Sequence, residues 1–137
     1  MNEENEKKKE FLKSYQKAKR DVARLEQHLR EWKLNKILPS VIHDGMPHGT
    51  NIRDLSDYAA QVDKIEREII ASKYERIYAC QKVQRCIEAV EDEREKDLLT
   101  YRYLEGKSWE QIAMEMGYTS RHILRLHGRA LENLKMS

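Results

Sequence analysis

The chain has 137 residues, 36% of them charged and 7% aromatic, with 5 Gly and 2 Pro. That profile suits one ordinary domain, or two small ones, made of long solvated helices, and argues against a sheet protein. The formal net charge is only +2, so nucleic-acid binding would have to come from local charge asymmetry rather than from a polycation.

Met1 to Lys9 reads as a charged start that frays. From there, Phe11, Tyr15, Ala18, Val22, Leu25, Leu29 and Trp32 recur at alternating steps of four and three. That is the heptad rhythm of a coiled-coil seam. Pro39 is expected to stop this helix, because the residue before a proline is pushed out of helical conformation. A helix from near Glu4 to Ile37 would be about 50 Å long. Pro39 to Thr50 holds both prolines and two of the glycines and is the clearest loop. It either simply reverses the chain, with Gly45 and Gly49 at positive φ, or offers a contact to a partner.

A second long helix is expected from the N-cap Asn51, with Asp54 in its first turn. Leu55, Tyr58, Val62, Ile65 and Ile69 keep the rhythm, and the stripe then slips by one residue to Ile70, Tyr74 and Ile77. Such a slip is a stutter. The first half of this helix should pair antiparallel with helix one. Two helices alone bury little, so the stripes imply either a homodimer closing a four-helix bundle or docking against the C-terminal module, and the homodimer is expected. Cys80 and Cys86 face different ways on this helix and read as small buried hydrophobes in a reducing cytosol.

Val90 to Leu104 supplies a third helix, with Leu98, Leu99, Tyr101, Arg102 and Leu104 covering a core and Glu91 to Glu95 outside. Its continuity with helix two stays open, since the charge run Glu91 to Asp97 suits either a solvated face or a break. Gly106 then reads as a helix stop. Ser108 and Gln111 have capping-box spacing, and Trp109, Ile112, Ala113 and Met116 share one face. Gly117 ends this short helix and Thr119 caps the next. In that last helix Ile123, Leu126, Ala130 and Leu134 form a buried stripe, while Arg121, Arg125 and Arg129 recur off it. A short helix, a glycine turn and a longer cationic helix make the helix-turn-helix pattern. The second helix fits the major groove, where arginine can bond O6 and N7 of guanine.

The pattern Thr119, Ile123 and Arg129-Ala130-Leu131-Glu132-Asn133-Leu134 resembles region four of bacterial sigma factors. With Met46-Pro47-His48-Gly49 and the run His122 to His127, the chain looks like a family of small sigma-like regulators from phages and prophages. The resemblance implies base-reading positions at Ser120, Arg121, Leu124 and Arg125, and Leu124 departs from the usual polar residue. It covers the last third only, and no promoter-melting region precedes it, so a complete sigma factor is not expected. His122 and Arg129 read as phosphate contacts, and Lys107 completes the candidate DNA-binding set.

The fold expected is therefore all-α. A long antiparallel, coiled-coil-like hairpin over residues 1–89 precedes a helix-turn-helix module over 90–137. The five histidines have no metal-ligand spacing, no glycine loop cradles phosphate, and no nucleophile elbow occurs. No catalysis, metal, cofactor or small-molecule substrate is expected. No apolar run of about eighteen residues or signal core occurs, so a soluble cytoplasmic protein without membrane contact is expected. The leading function is a dimeric, sequence-specific reader of double-stranded DNA that regulates phage or prophage genes with the helix from about Thr119 to Lys135. The alternatives are an RNA polymerase or sigma-associated accessory protein and a structural coiled-coil adaptor. Trp109 is expected in the core and His127 at the module's edge.

Overall fold

The structure is a computed structural model and describes residues 3–42 and 52–136. Helices are α1 (Glu3–Ile42), α2 (Ile52–Glu88), α3 (Glu93–Leu99), α4 (Trp109–Met116) and α5 (Ser120–Asn133), with a π-helical turn, Thr100–Leu104, continuing α3. No strand occurs among the described residues, and the fold is all-α. None of the described helices is long and apolar enough to cross a membrane. Gly45, Gly49, His43, His48 and the expected Asn51 cap lie outside the described residues.

Two expectations about α1 need correction. The helix passes Pro39 and ends at Ile42. A proline's fixed φ is compatible with a helical backbone, which continues here without the hydrogen bond that the missing N–H would make. The start, as far as it is described, is also helical: α1 begins at Glu3, with Glu3, Glu4 and Glu6 at its dipole-favoured end. What anchors it is burial of Leu12 and, unexpectedly, of Lys8.

The chain divides into two compact units, one of Lys19–Glu75 and one of Met1–Ala18 with Arg76–Ser137. In the first, α1 and α2 run antiparallel. Trp32 packs on Tyr58 with ring centroids 5.5 Å apart. Lys33 lies 3.9 Å from Glu66, and Lys73 lies 3.6 Å from Glu26. Val22, Ile65 and Ile69 are buried between them.

The stripe on α2 does not slip after Ile69. Burial continues in the same rhythm through the half-buried Ser72, Arg76 and Ala79 to Val83, Cys86 and Ile87. Ile70, Tyr74 and Ile77 are instead exposed. Serine and arginine at two inward positions hide the periodicity, and apolar residues on the outer face mimic a displaced one.

In the second unit one core joins four sources. Leu12 comes from α1, Val83, Cys86 and Ile87 from α2 with Val90 just after it, Leu98, Leu99 and Tyr103 from α3 and its π turn, and the rest from α4, α5 and the α5 cap Leu134. Tyr15 of α1 lies near Cys80 of α2. The chain breaks after α2, and Asp92 caps α3, its Oδ1 accepting from the N–H of Arg94 at 2.9 Å and of Glu95 at 3.4 Å. Part of the acidic run is therefore a helix boundary. Glu95, expected outside, is buried, and both its carboxylate oxygens accept from Asn133 Nδ2 of α5, at 3.0 and 3.1 Å.

Two polar side chains of α1 close the open ends of other elements. Lys8 Nζ donates to the carbonyls of Leu131 at 2.8 Å and Glu132 at 3.4 Å, in the last turn of α5. Leu131 O also accepts from the Leu134 N–H at 3.3 Å, and both carbonyls lie at the negative end of the helix dipole. Gln16 Nε2 donates to Tyr103 O at 3.1 Å and Leu104 O at 3.3 Å at the end of the π turn. Gly106 follows with φ +71°, and a Cβ there would meet Gln16 Oε1 at 3.3 Å. Both the positive φ and the close approach suit glycine.

Lys8→Met should keep the buried stem and lose the ammonium that covers the end of α5. We expect destabilisation of about 1–3 kcal/mol, measured as the midpoint of urea unfolding. An unchanged midpoint would mean that the last turn of α5 is equally well satisfied by water.

Candidate nucleic-acid interface

The helix-turn-helix is built locally as its residues dictate. Ser108 Oγ accepts from Gln111 N–H at 3.2 Å, and Gln111 Oε1 accepts from Ser108 N–H at 2.9 Å, a complete capping box at the start of α4. Gly117 ends α4 in left-handed conformation, φ +71°, and Tyr118 N–H returns to Ala113 O at 3.0 Å. Thr119 Oγ1 then accepts from His122 N–H at 3.1 Å and starts α5. Ile112 and Ala113 of α4 are buried with Ile123, Leu126 and Ala130 of α5, so the two helices share one core. Helix α5 ends at Asn133, slightly inside the expected span to Lys135.

Six of the seven sequence-derived site residues lie on α5. Ser120, Arg121, Arg125 and Arg129 are exposed, Leu124 is 55% exposed, and His122 is half-buried. Among the described residues none of the three arginines is held by an ion pair or hydrogen bond. Their guanidinium groups are unspent within the fold. Lys107 is differently placed: its ammonium lies 3.3 Å from Glu105, 3.4 Å from Glu115 and 4.5 Å from the Tyr101 ring centroid. The module itself already engages that charge.

Three features at this surface carry no sequence signal. The Tyr118 ring stacks on His122 at 4.4 Å with planes 7° apart, fixing His122 in the first turn of α5. Arg94 of α3 lies close enough to Tyr118 for the two to interact, so a cation from α3 stands near the amino-terminal end of α5. His127, expected at an edge, is buried, bonded to the Tyr103 hydroxyl at 2.7 Å and set edge-on against Trp109 at 4.7 Å. Trp109 also carries Arg102 over its ring at 4.3 Å. It is half-buried against the core, so it serves packing and holds an arginine.

Burial pushes the Tyr103 phenol up to about 12. Burial, followed by the nearby Lys9, Arg102 and Lys13, pushes His127 down to about 4. Both groups are neutral near pH 7, which lets them share one hydrogen bond without a buried charge. The described residues hold no cluster of three or more potential metal ligands.

The His127 shift has a signed consequence. The unfolded histidine, near 6.5, takes up its proton before the folded one, near 4. Stability is therefore complete above about pH 6.5 and falls as the pH drops through that window, by on the order of 3 kcal/mol in all. His127→Phe should flatten this acid limb relative to the wild type. The check is urea unfolding of both proteins at about pH 5 and about pH 7; parallel changes would show that His127 does not contribute.

Residues 92–136, from the cap of α3 through α5, match the family model for sigma-70 region 4. The carboxy-terminal part of the chain is thus a sigma region-four-like helix-turn-helix, of a family that binds DNA in transcription. The match does not extend to α1 or α2. No curated protein and no solved structure matches the chain.

Proposed function

We propose that the protein is a sequence-specific DNA-binding transcription regulator of phage or prophage genes that acts as a dimer, with α5 in the major groove. The observation that carries this reading is the row Arg121, Arg125 and Arg129. These exposed cations are unpaired among the described residues, on a helix whose opposite face is fully buried. Arg121 and Arg125, near the amino-terminal end of α5, read bases, while Arg129 and His122 hold phosphates. Leu124 contributes an apolar contact such as a thymine methyl.

Dimerisation is supported by the Lys19–Glu75 unit. Ile70 and Tyr74 are 56% and 70% exposed there. A cleft of about 610 Å³ beside Ile70 has three acids, Glu26, Asp63 and Glu66, among three bases, Arg30, Arg67 and Lys73. A surface carrying both signs can meet a second copy of itself without net repulsion, which suits the isologous contact of a two-fold dimer. The second reading is an accessory protein that contacts RNA polymerase or a sigma factor. Met114, 84% exposed on α4, favours it as an apolar anchor.

Selection from random duplex DNA with the purified chain tests the first reading. Arg121→Ala and Arg125→Ala should each cost on the order of 1–3 kcal/mol on the selected site and relax its specificity. Arg129→Ala should weaken binding evenly across sequences. Selection without an enriched motif, combined with polymerase capture that persists after DNA is removed, would favour the accessory reading instead. Sedimentation tests the dimer separately: Ile70→Glu with Tyr74→Glu should leave the helical content intact and shift the protein to a monomer. A wild type that sediments as a monomer would exclude it.

A further inference from the structure

Beside the arginine row lies a cleft of about 510 Å³ between the start of α1 and the flank of α5. Its cations are Lys9 and Lys13 of α1 and Arg102 of the π turn, and no carboxylate lines it among the described residues. Its floor is Trp109 and His127, and Leu124 forms its rim.

The charges have little structural employment. Lys8, their neighbour, is the lysine that satisfies the end of α5. Lys9 reaches only Glu6, at 3.4 Å on the exposed side of the same helix, a type of pair that stabilises little. Lys13 makes no ion pair among the described residues. Arg102 gives one N–H to Lys107 O at 3.1 Å and keeps its other donors. All three raise the potential felt by His127. Three like charges line a concave surface whose described lining holds no carboxylate, Glu6 beside Lys9 being outside that lining.

The position of the cleft identifies the anion. On a helix with 3.6 residues per turn, Leu124 and Gly128 flank the row of Arg121 and Arg125, and both line the cleft. A helix lying in the major groove, about 12 Å wide, has a phosphate strand along each flank. We infer that this cleft binds the DNA backbone, with Lys9 and Lys13 of α1 contacting phosphates beside the site that α5 reads. The inference rests on the DNA-binding reading and adds a contact from outside the region-four-like module. Helix α1 then both positions the recognition helix and extends its footprint.

The test uses the full chain, a duplex carrying the selected site and a scrambled duplex, titrated over a range of salt concentrations. Lys9→Ala with Lys13→Ala should weaken both duplexes alike, by several-fold or more. It should also lower the slope of log affinity against log salt by about 0.9 for every phosphate no longer neutralised. Lys9→Arg with Lys13→Arg should restore both, and thermal unfolding should be the same for all three proteins. If the wild type binds the selected duplex and the double alanine variant keeps its affinity and slope, the cleft is not a phosphate site while the DNA reading stands. A weakening confined to the selected duplex, with an unchanged slope, also overturns it. If the wild type binds neither duplex, the DNA reading and this inference fail together.

Discussion

The apolar stripe of α5 has to be buried on more sides than the short helices beside it can cover. Helix α3 has 7 residues and α4 has 8. A core closed by such pieces alone is marginal, because small domains bury too little of their surface. The chain solves this with the ends of its long helices: Leu12 from α1 and Val83, Cys86 and Ile87 from α2 enter the same core as Ile123, Leu126 and Ala130. The helix-turn-helix is therefore not an appendage on a tether. Its recognition helix is packed by residues from the start of the chain, and the Lys8 ammonium covers its last carbonyls.

This economy leaves the outer face of α5 unspent. The buried polar groups within the unit are satisfied by one another: Tyr103 by His127, Glu95 by Asn133, and the end of the π turn by Gln16. No side-chain polar atom among the described residues is buried without a partner. Nothing in the core draws on Arg121, Arg125 or Arg129. A side chain that must read a base has to keep its donors available and its backbone fixed. The capped start of α5 and the Tyr118–His122 stack supply the second condition.

Features set by neighbouring residues were legible in the sequence. The Ser108 capping box, the Gly117 stop, the Thr119 cap and the seam from Phe11 to Trp32 all have short-range causes, since each rests on residues within a turn or two. Features set by distant partners were not. Lys8 looks like a solvated lysine until Leu131, 123 positions away, is brought to it. Glu95 looks like part of an acidic face until Asn133 meets it. The supposed slip after Ile69 failed for a related reason. Ser72 and Arg76 hold half-buried inward positions that a purely apolar pattern discards, while the exposed Ile70 and Tyr74 invite the wrong register. Apolar periodicity reports burial only where every inward residue is apolar.

At Leu124 the demands of reading and of backbone binding meet. With α5 in the major groove, as proposed, a leucine here would give up a hydrogen bond to a base. Its place in the structure offers a physical reason for that choice. It forms the rim between the arginine row and the cationic cleft, and a charged residue there would either repel Lys9 and Lys13 or neutralise them. An apolar side chain keeps the two cationic surfaces apart without cancelling either. On the proposed reading, base discrimination would fall on the two arginines nearest the start of α5, and a larger share of affinity on contacts that do not depend on sequence. Such a reader would bind with a strong salt dependence and a short specific motif, and would gain its selectivity from pairing two copies on one site.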